Sequence, residues 1–418
     1  GGYLFSWMMD ALMLGIGVGF DTLGAGTVTI KQPIYTEDIH TIADSREGWV
    51  RSVNILLNGF FFGDEIPKFD YSAIRGPGAE IKGFGGTASG PGPLIELHDH
   101  LKNLYTDRVG SPITSVDIVD TENLIGRCVV AGNVRRSAAL ALGQYDDMDY
   151  LTMKNDQEKL GHHRWGSNNS FHAVVGMDYT WHAEQSQRNG EPGYIWLDNA
   201  RTRGRFADPP RDDDKNVMGF NPCVEQQLED AELCCLVETF PAKHETYEDY
   251  LATLKIAYLY GKTVTLANTH WAETNAKMLK NRRIGLSQSG VVQAFNKFGR
   301  REVLKWCDDA YAHVKDLDDE YSNWLCIPKS VRMTSIKPLK EPYFVKGKKS
   351  VSMWEQLEIA AQYQHYWADN SVSVTVTFKA EEAEDLKTAL EMYESRLKAV
   401  SFLRYQETGY VQAPYEPI

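Results

Sequence analysis

The chain has 418 residues and carries 44 Lys and Arg against 57 Asp and Glu, a formal charge of −13, with 43% apolar and 24% charged residues. This is the composition of an ordinary soluble protein with enough chain for a large core, and its acidic balance excludes a sequence-independent nucleic-acid binder, which needs a basic field. Cys128, Cys223, Cys234, Cys235, Cys307 and Cys326 are too few and too unevenly spaced for a secreted disulfide framework, and they fit a reducing, cytoplasmic setting.

From the N-terminus, the spacing predicts a buried amphipathic helix over 4–14. Asp10 in its apolar run argues against a membrane span, at about 2.5–3.5 kcal/mol for a charge at bilayer depth. A glycine-rich strand and loop follow over 15–29, and a second glycine-rich loop lies at 76–93. Helical spacing returns at 94–105 and 115–125. The segment 201–215 mixes Pro with acids and a basic run and reads as linker-like. A long helix is predicted over 247–268, with further helices at 290–296 and 357–366. Residues 371–378, SVSVTVTF, alternate hydroxyl and β-branched residues as a strand does. A charged amphipathic helix over 380–398 and a short strand over 399–404 complete the order. Helices alternating with short strands favour an α/β architecture with parallel strands; at about 100–200 residues per domain the length allows two to four domains or a single barrel.

The most informative stretch is 220–240, FNPCVEQQLEDAELCCLVETF. Asn221, Cys223 and Glu225 stand at i, i+2 and i+4, a spacing that on an extended loop turns three side chains the same way. A carboxylate beside a thiol raises the thiol pKa, which suits chemistry that makes and breaks S–H as a hydrogen atom, with Glu225 as general base and Asn221 holding a substrate oxygen. A buried structural cysteine is the bland alternative. A zinc site built on Cys223, Cys234 and Cys235 is another, disfavoured because zinc thiolates pair two to four residues apart.

The segment NPCVE, with Cys234 eleven residues after its cysteine, resembles the finger loop of the ribonucleotide reductase catalytic subunit, usually N-P-C-G-E. Further matching runs are LMLGIGVGFDT (12–22), IKGFGGTASGPGPL (81–94), CVVAGNVRRSAALALG (128–143), RWGSNNS (164–170), NGEPG (189–193), NRRIGLSQSG (281–290), TSIKP (334–338) and DNSVSVTVTF (369–378). The series is similar to the adenosylcobalamin-dependent class II branch and to small phage-encoded reductases. The resemblance implies a ten-stranded α/β barrel of two parallel five-stranded half-sheets, with the finger loop through its centre. It would be one domain over 1–418, with effector loops in 1–215, finger and phosphate loops in 216–418, and no ATP-cone.

By that resemblance Cys223 carries a transient thiyl radical, Glu225 takes the 3′-hydroxyl proton and Asn221 bonds the ribose hydroxyls. Cys234 is one of two redox thiols. Thr334 and Ser335 begin the substrate-phosphate loop, Asn168 and Asn169 contact substrate, and Gly132, Asn133, Arg135, Arg136 and Ser137 form the loop that senses a dNTP or ATP effector. The partners implied are a ribonucleotide substrate, the effector, a thioredoxin-like or dithiol reductant and a second copy of the chain, with neither nucleic acid nor membrane. The radical is expected from adenosylcobalamin or from a ferritin-like dimetal subunit, with no metal in this chain, and the location is cytoplasmic, that of the host if phage-encoded.

Three departures qualify the match. Val224 replaces the usual glycine and Cys235 the usual asparagine. TSIKP continues into Leu339 and not into the Ser-Gly-Thr phosphate cradle, so a segment is expected to be missing after Pro338. The second redox cysteine of the family lies on a strand upstream of the LMLG helix, before Gly1; Cys128 belongs to the effector-loop motif and is a poor substitute. Tyr405, Tyr410 and Tyr415 are relay candidates with structural roles as the simpler alternative. The rival reading is a catalytically silent nucleotide-binding regulator with the same barrel, against which the intact Asn221, Cys223 and Glu225 stand.

Overall fold

The computed structural model describes residues 1–81, 85–131, 138–336 and 351–405. The chain divides into two compact units, Gly1–Asn169 and Ser170–Ile418. The expected effector-loop residues Gly132, Asn133, Arg135, Arg136 and Ser137, the junction at Pro338, and Tyr410 and Tyr415 lie outside the described residues.

In the first unit, helix α1 (Gly2–Met13) buries Met8, Met9 and Leu12. Asp10, the charge inside its apolar run, pairs with Arg46 of helix α2 (Arg46–Phe62), so the apolar segment is a packed helix with a neutralised acid. Ser45 caps α2 by accepting from Gly48 N at 3.1 Å, and Gly63 closes it at φ 78°, a conformation glycine adopts without strain. Strand β1 (Val18–Asp21) precedes α2; β2 (Ile34–Thr41) and β3 (Glu65–Asp70) flank it and form a separate parallel pair. Helices α3 (Gly92–Thr106) and α4 (Ser115–Val130) follow, and α4 opens with a reciprocal capping box between Thr114 and Asp117. Strand β4 (Ala139–Gln144) then pairs in parallel with β1.

Arg164 of the RWGSNNS run is buried and donates two bonds to Asp120 of α4, at 2.7 and 2.8 Å, while His163 meets the same carboxylate at 2.9 Å. That arginine therefore fastens α4, the helix that precedes the segment expected to sense an effector.

In the second unit, β5 (Asn168–His172), which starts at the unit boundary, pairs in parallel with β6 (Gly193–Ile195). The short β7 (Gly219–Phe220) and β8 (Gln227–Leu228) form an antiparallel hairpin. Strands β9 (Leu236–Thr239), β10 (Ile284–Gln288), β11 (Val331–Ile336) and β12 (Val372–Ser373) form a parallel sheet in the order β12-β11-β10-β9. Strand β13 (Thr375–Phe378) pairs in parallel with β14 (Ala399–Arg404), which meets β6 antiparallel. The α/β class and the parallel strands match expectation, whereas two half-sheets of five are not established by the described strands.

Three local expectations change. The alternating run 371–378 is two strands in different sheets: β12 joins β11, and beyond Val374 the chain continues as β13 beside β14. The linker-like 201–215 is packed in place: Arg205 bonds Asp208 and Asp308, and Asp214 is held by Arg283. Its acids and bases pair with one another and with the core. The charged segment 380–398 is a 3-10 turn (Ala380–Asp385) and a short helix (Leu386–Tyr393). No described helix is long and apolar enough to cross a membrane.

Candidate active site

The hairpin β7–β8 lifts residues 221–226 into a tight tip. Asn221 O accepts from Val224 N at 2.8 Å, with Pro222 second in the turn, where its fixed φ is favoured. Val224 then takes φ 64°. This is the position where the family pattern has glycine, and a β-branched residue there is strained.

The turn changes the expected geometry. Asn221 and Glu225 meet each other, Nδ2 donating to Oε1 at 2.6 Å, and both are buried, while Cys223 is exposed at the tip. Asn221 Nδ2 also lies 3.6 Å from Cys234 Sγ, and Asn221 Oδ1 accepts from Gln226 N at 2.9 Å. One amide thus links the general-base candidate, the second cysteine and the loop backbone. Burial, and after it the charges of Glu225, Cys235, Cys223 and Glu232, push the Cys234 thiol well above its usual pKa. The site keeps this sulfur protonated, the form that gives up hydrogen.

Three anchors behind the loop lie outside the residues that the sequence singles out. Arg283 reaches Asp214 with two bonds (2.8 and 2.9 Å) and Glu232 with a third (3.0 Å), fixing the limb that leads to Cys234. Fully buried Lys398 donates to Gln227 Oε1 at 2.9 Å and to the carbonyls of Arg203 and Asp369 at 2.8 Å, three acceptors for three N–H bonds. Asn370 spans the same limb, accepting from Gln227 N and donating to Gln226 Oε1. Arg283 and Asn370 fall inside the NRRIG and DNS motifs; Lys398 carries no motif signal.

Thr334 and Ser335 are fully buried on β11, and their hydroxyls are engaged by main chain. Thr334 Oγ1 lies 2.6 Å from Ser371 O and 3.0 Å from Glu225 O, and Ser335 Oγ donates to Gln288 O at 2.8 Å. They secure the finger loop and the neighbouring strand. Asn168 is exposed; Asn169 is buried, with Ser167 Oγ donating to its Oδ1 at 3.0 Å. Cys128 is buried on α4 in the first unit, and burial pushes its thiol up to about 12. Among the described residues, no group of three or more His, Cys, Asp or Glu is arranged to hold a metal ion.

The first unit contains a cavity of about 170 Å³ lined by Met9, Arg46, Trp49, Arg75, Ser89 and Ala131 among others. Ala131 is the last described residue before the expected effector loop.

Comparison with known proteins follows the same lines. Residues 21–104 match the insertion domain of B12-dependent ribonucleotide reductase. The chain is 42% identical, over 99% of its length, to a probable adenosylcobalamin-dependent ribonucleoside-triphosphate reductase of Dictyostelium discoideum, 66% of which it covers. It is 33% identical, again over 99% of its length, to the adenosylcobalamin-dependent ribonucleoside-triphosphate reductase of Lactobacillus helveticus, and covers 74% of that protein. The chain belongs to the adenosylcobalamin-dependent ribonucleotide reductases. A crystal structure of a B-12 dependent (class II) ribonucleotide reductase superposes with a TM-score of 0.84 at 28% identity, covering 99% of this chain and 75% of that one. The chain spans about two thirds (66%) of the Dictyostelium relative. Membership of this family corrects one expectation. The ferritin-like dimetal subunit, considered as an alternative radical source, is withdrawn, because the relatives are named as adenosylcobalamin-dependent.

Proposed function

We propose that this chain carries the catalytic site of a ribonucleoside-triphosphate reductase, with Cys223 as the radical-bearing thiol. The observation that carries the reading is the arrangement around Asn221: one amide bonded to Glu225 and 3.6 Å from Cys234, beneath an exposed Cys223. A silent nucleotide-binding regulator has no use for this joined set.

The residues fit adenosylcobalamin in one respect: Cys223 is presented at the loop tip, open to a group approaching from outside, while Asn221 and Glu225 are buried. When bound, that cofactor supplies an organic radical able to accept the thiol hydrogen. The chain does the rest. Cys223 takes the 3′ hydrogen of the ribose, and Glu225 accepts the 3′-hydroxyl proton with Asn221 holding the carboxylate in place. Cys234 and a second thiol supply the two hydrogen equivalents of the reduction and close as a disulfide while the 2′ oxygen leaves as water; Cys223 and Glu225 then return the 3′ hydrogen and the 3′-hydroxyl proton, and an external dithiol reopens the disulfide. Thr334 acts through Glu225 by holding its backbone carbonyl.

The cavity of the first unit is proposed as the specificity site for a dNTP or ATP effector. Arg46 and Arg75 line it, although Asp10 and Asp44 pair with them, and it adjoins the start of the 132–137 loop. A homodimer is proposed, and molecular mass in solution tests it. Asn168 and Asn169 stay proposed substrate contacts. The test of the reading is formation of 2′-deoxynucleotide from a ribonucleoside triphosphate with adenosylcobalamin and a dithiol; substrate selection between di- and triphosphates is read in the same assay.

A further inference from the structure

One rung of the parallel sheet crosses β9, β10 and β11 through Glu238, Ser287 and Thr334, which pair in register. The face this rung presents follows from its neighbours. On β10, a Cβ at Gly285 would collide with the Gln226 side-chain amide and come within 2.7 Å of Leu236 Cδ1. Gly285 and Leu236 therefore look toward the finger loop. Side chains alternate along strands, so Ser287 and Glu238, each two residues further on, look the same way. The opposite face is equally defined: Val237 Cγ2 packs where Gly261 lacks a Cβ, and Thr239 bonds Tyr250 at 3.0 Å, both toward the helix Tyr247–Val264.

The rung ends at the candidate general base. Thr334 and Ser371 both reach the Glu225 carbonyl, Ser371 through its N–H at 3.2 Å. Glu238 Oε1 and the hydroxyl of fully buried Ser371 lack hydrogen-bond partners among the described residues. Glu238 also interacts with the Ser287 and Ser289 side chains, which pull its pKa down against the upward push of burial. Buried polar atoms left unsatisfied are costly, and unpaired groups beside a binding site are those a ligand can complete.

We propose that Glu238 is a further ligand-contacting residue of this site, its Oε1 accepting a hydrogen bond from a hydroxyl or amino group of a nucleoside. A phosphate does not qualify, since a carboxylate needs a donor and an ionised phosphate offers none. The inference rests on the reductase reading, and two molecules of that reaction bring such donors: the ribonucleotide and the adenosyl group.

Equilibrium binding of CTP and, separately, of 5′-deoxyadenosine to the full chain, without turnover, tests it. Glu238→Leu weakens one of the two by roughly tenfold, the loss of one charged hydrogen bond, and the probe affected identifies the source. Thr239→Val, on the opposite face, leaves both unchanged. Should the Leu variant fail to fold, Glu238→Gln decides: it abolishes the pH dependence that the carboxyl gives to wild-type affinity. Affinities for both probes within twofold of wild type, with the pH dependence unaltered in the Gln variant, overturn the proposal, as does failure of wild type to bind either probe. Turnover that persists in Cys223→Ser instead overturns the reductase reading and leaves the binding result standing.

Discussion

Asn221 Nδ2 donates to Glu225 Oε1 at 2.6 Å, across the turn that puts Cys223 at its tip. The bond orients the carboxyl without consuming the loop backbone, which Asn221 secures with its other atom on Gln226 N. Asn221→Ala loses both, and kcat is expected to fall roughly 100-fold, the lower end of what a positioned acid–base group contributes. Asn221→Asp keeps the acceptor for Gln226 but sets two carboxyls together, so its activity is expected to fall as pH rises and both ionise. A flat pH profile for Asn221→Asp at wild-type activity contradicts the orienting role.

The positive φ of Val224 makes the finger loop a stability test. The conformation costs a β-branched residue about 1–3 kcal/mol, less the extra unfolded-state freedom of glycine. Val224→Gly is therefore expected to raise the unfolding free energy by about 1 kcal/mol in urea titration. A loss of stability shows that φ 64° is not the native conformation.

Asp214 carries the pH dependence of the anchor. Burial works to raise its pKa, but Arg332, Arg283 and the Gln227 amide overcome this and hold the carboxyl well below the usual range. A carboxyl with a depressed folded-state pKa stabilises above its unfolded value of about 3.9, and that contribution is lost as pH falls below it. Asp214→Asn, which leaves Arg283 half paired, is expected to lose about 3–5 kcal/mol at pH 7. The gap from wild type should narrow between pH 5 and pH 3 in denaturant titration.

Glu122 of α4 has the opposite sign. It is buried, its Oε2 has no hydrogen-bond partner among the described residues, and burial pushes its pKa well above the usual carboxylate value. Its favourable neutral form is complete below the unfolded-state pKa of about 4.3, and stability declines as pH rises through the folded-state value. Glu122→Gln should be more stable than wild type at pH 8 and nearly equal to it at pH 4. Equal stability at both pH values shows that the carboxyl is not desolvated.

The chemistry was more legible in the sequence than its support. Cys223, Glu225 and Asn221 stand out because catalysis constrains residue type at fixed spacing. Their geometry did not, since a period-two argument assumes an extended chain and the Pro222–Val224 turn breaks that period. Lys398 was invisible: a lysine beside a strand is ordinarily solvated, and only the tertiary fold shows three acceptors converging on it. The resemblance puts Thr334 at the start of a phosphate loop, and tertiary register sets its hydroxyl against the Glu225 carbonyl. The run 371–378 shows the same limit, because alternation identifies a strand without saying which sheet pairs each part of it.

On the proposed function, Cys223 is the working thiol and Glu225 its base. The most direct measurement is deoxynucleotide formation from CTP, with adenosylcobalamin and a dithiol, by wild type, Cys223→Ser and Glu225→Gln at equal folded concentration. Turnover is expected from wild type, no detectable product from Cys223→Ser, and at least a 100-fold loss for Glu225→Gln. Turnover by Cys223→Ser at the wild-type rate contradicts it.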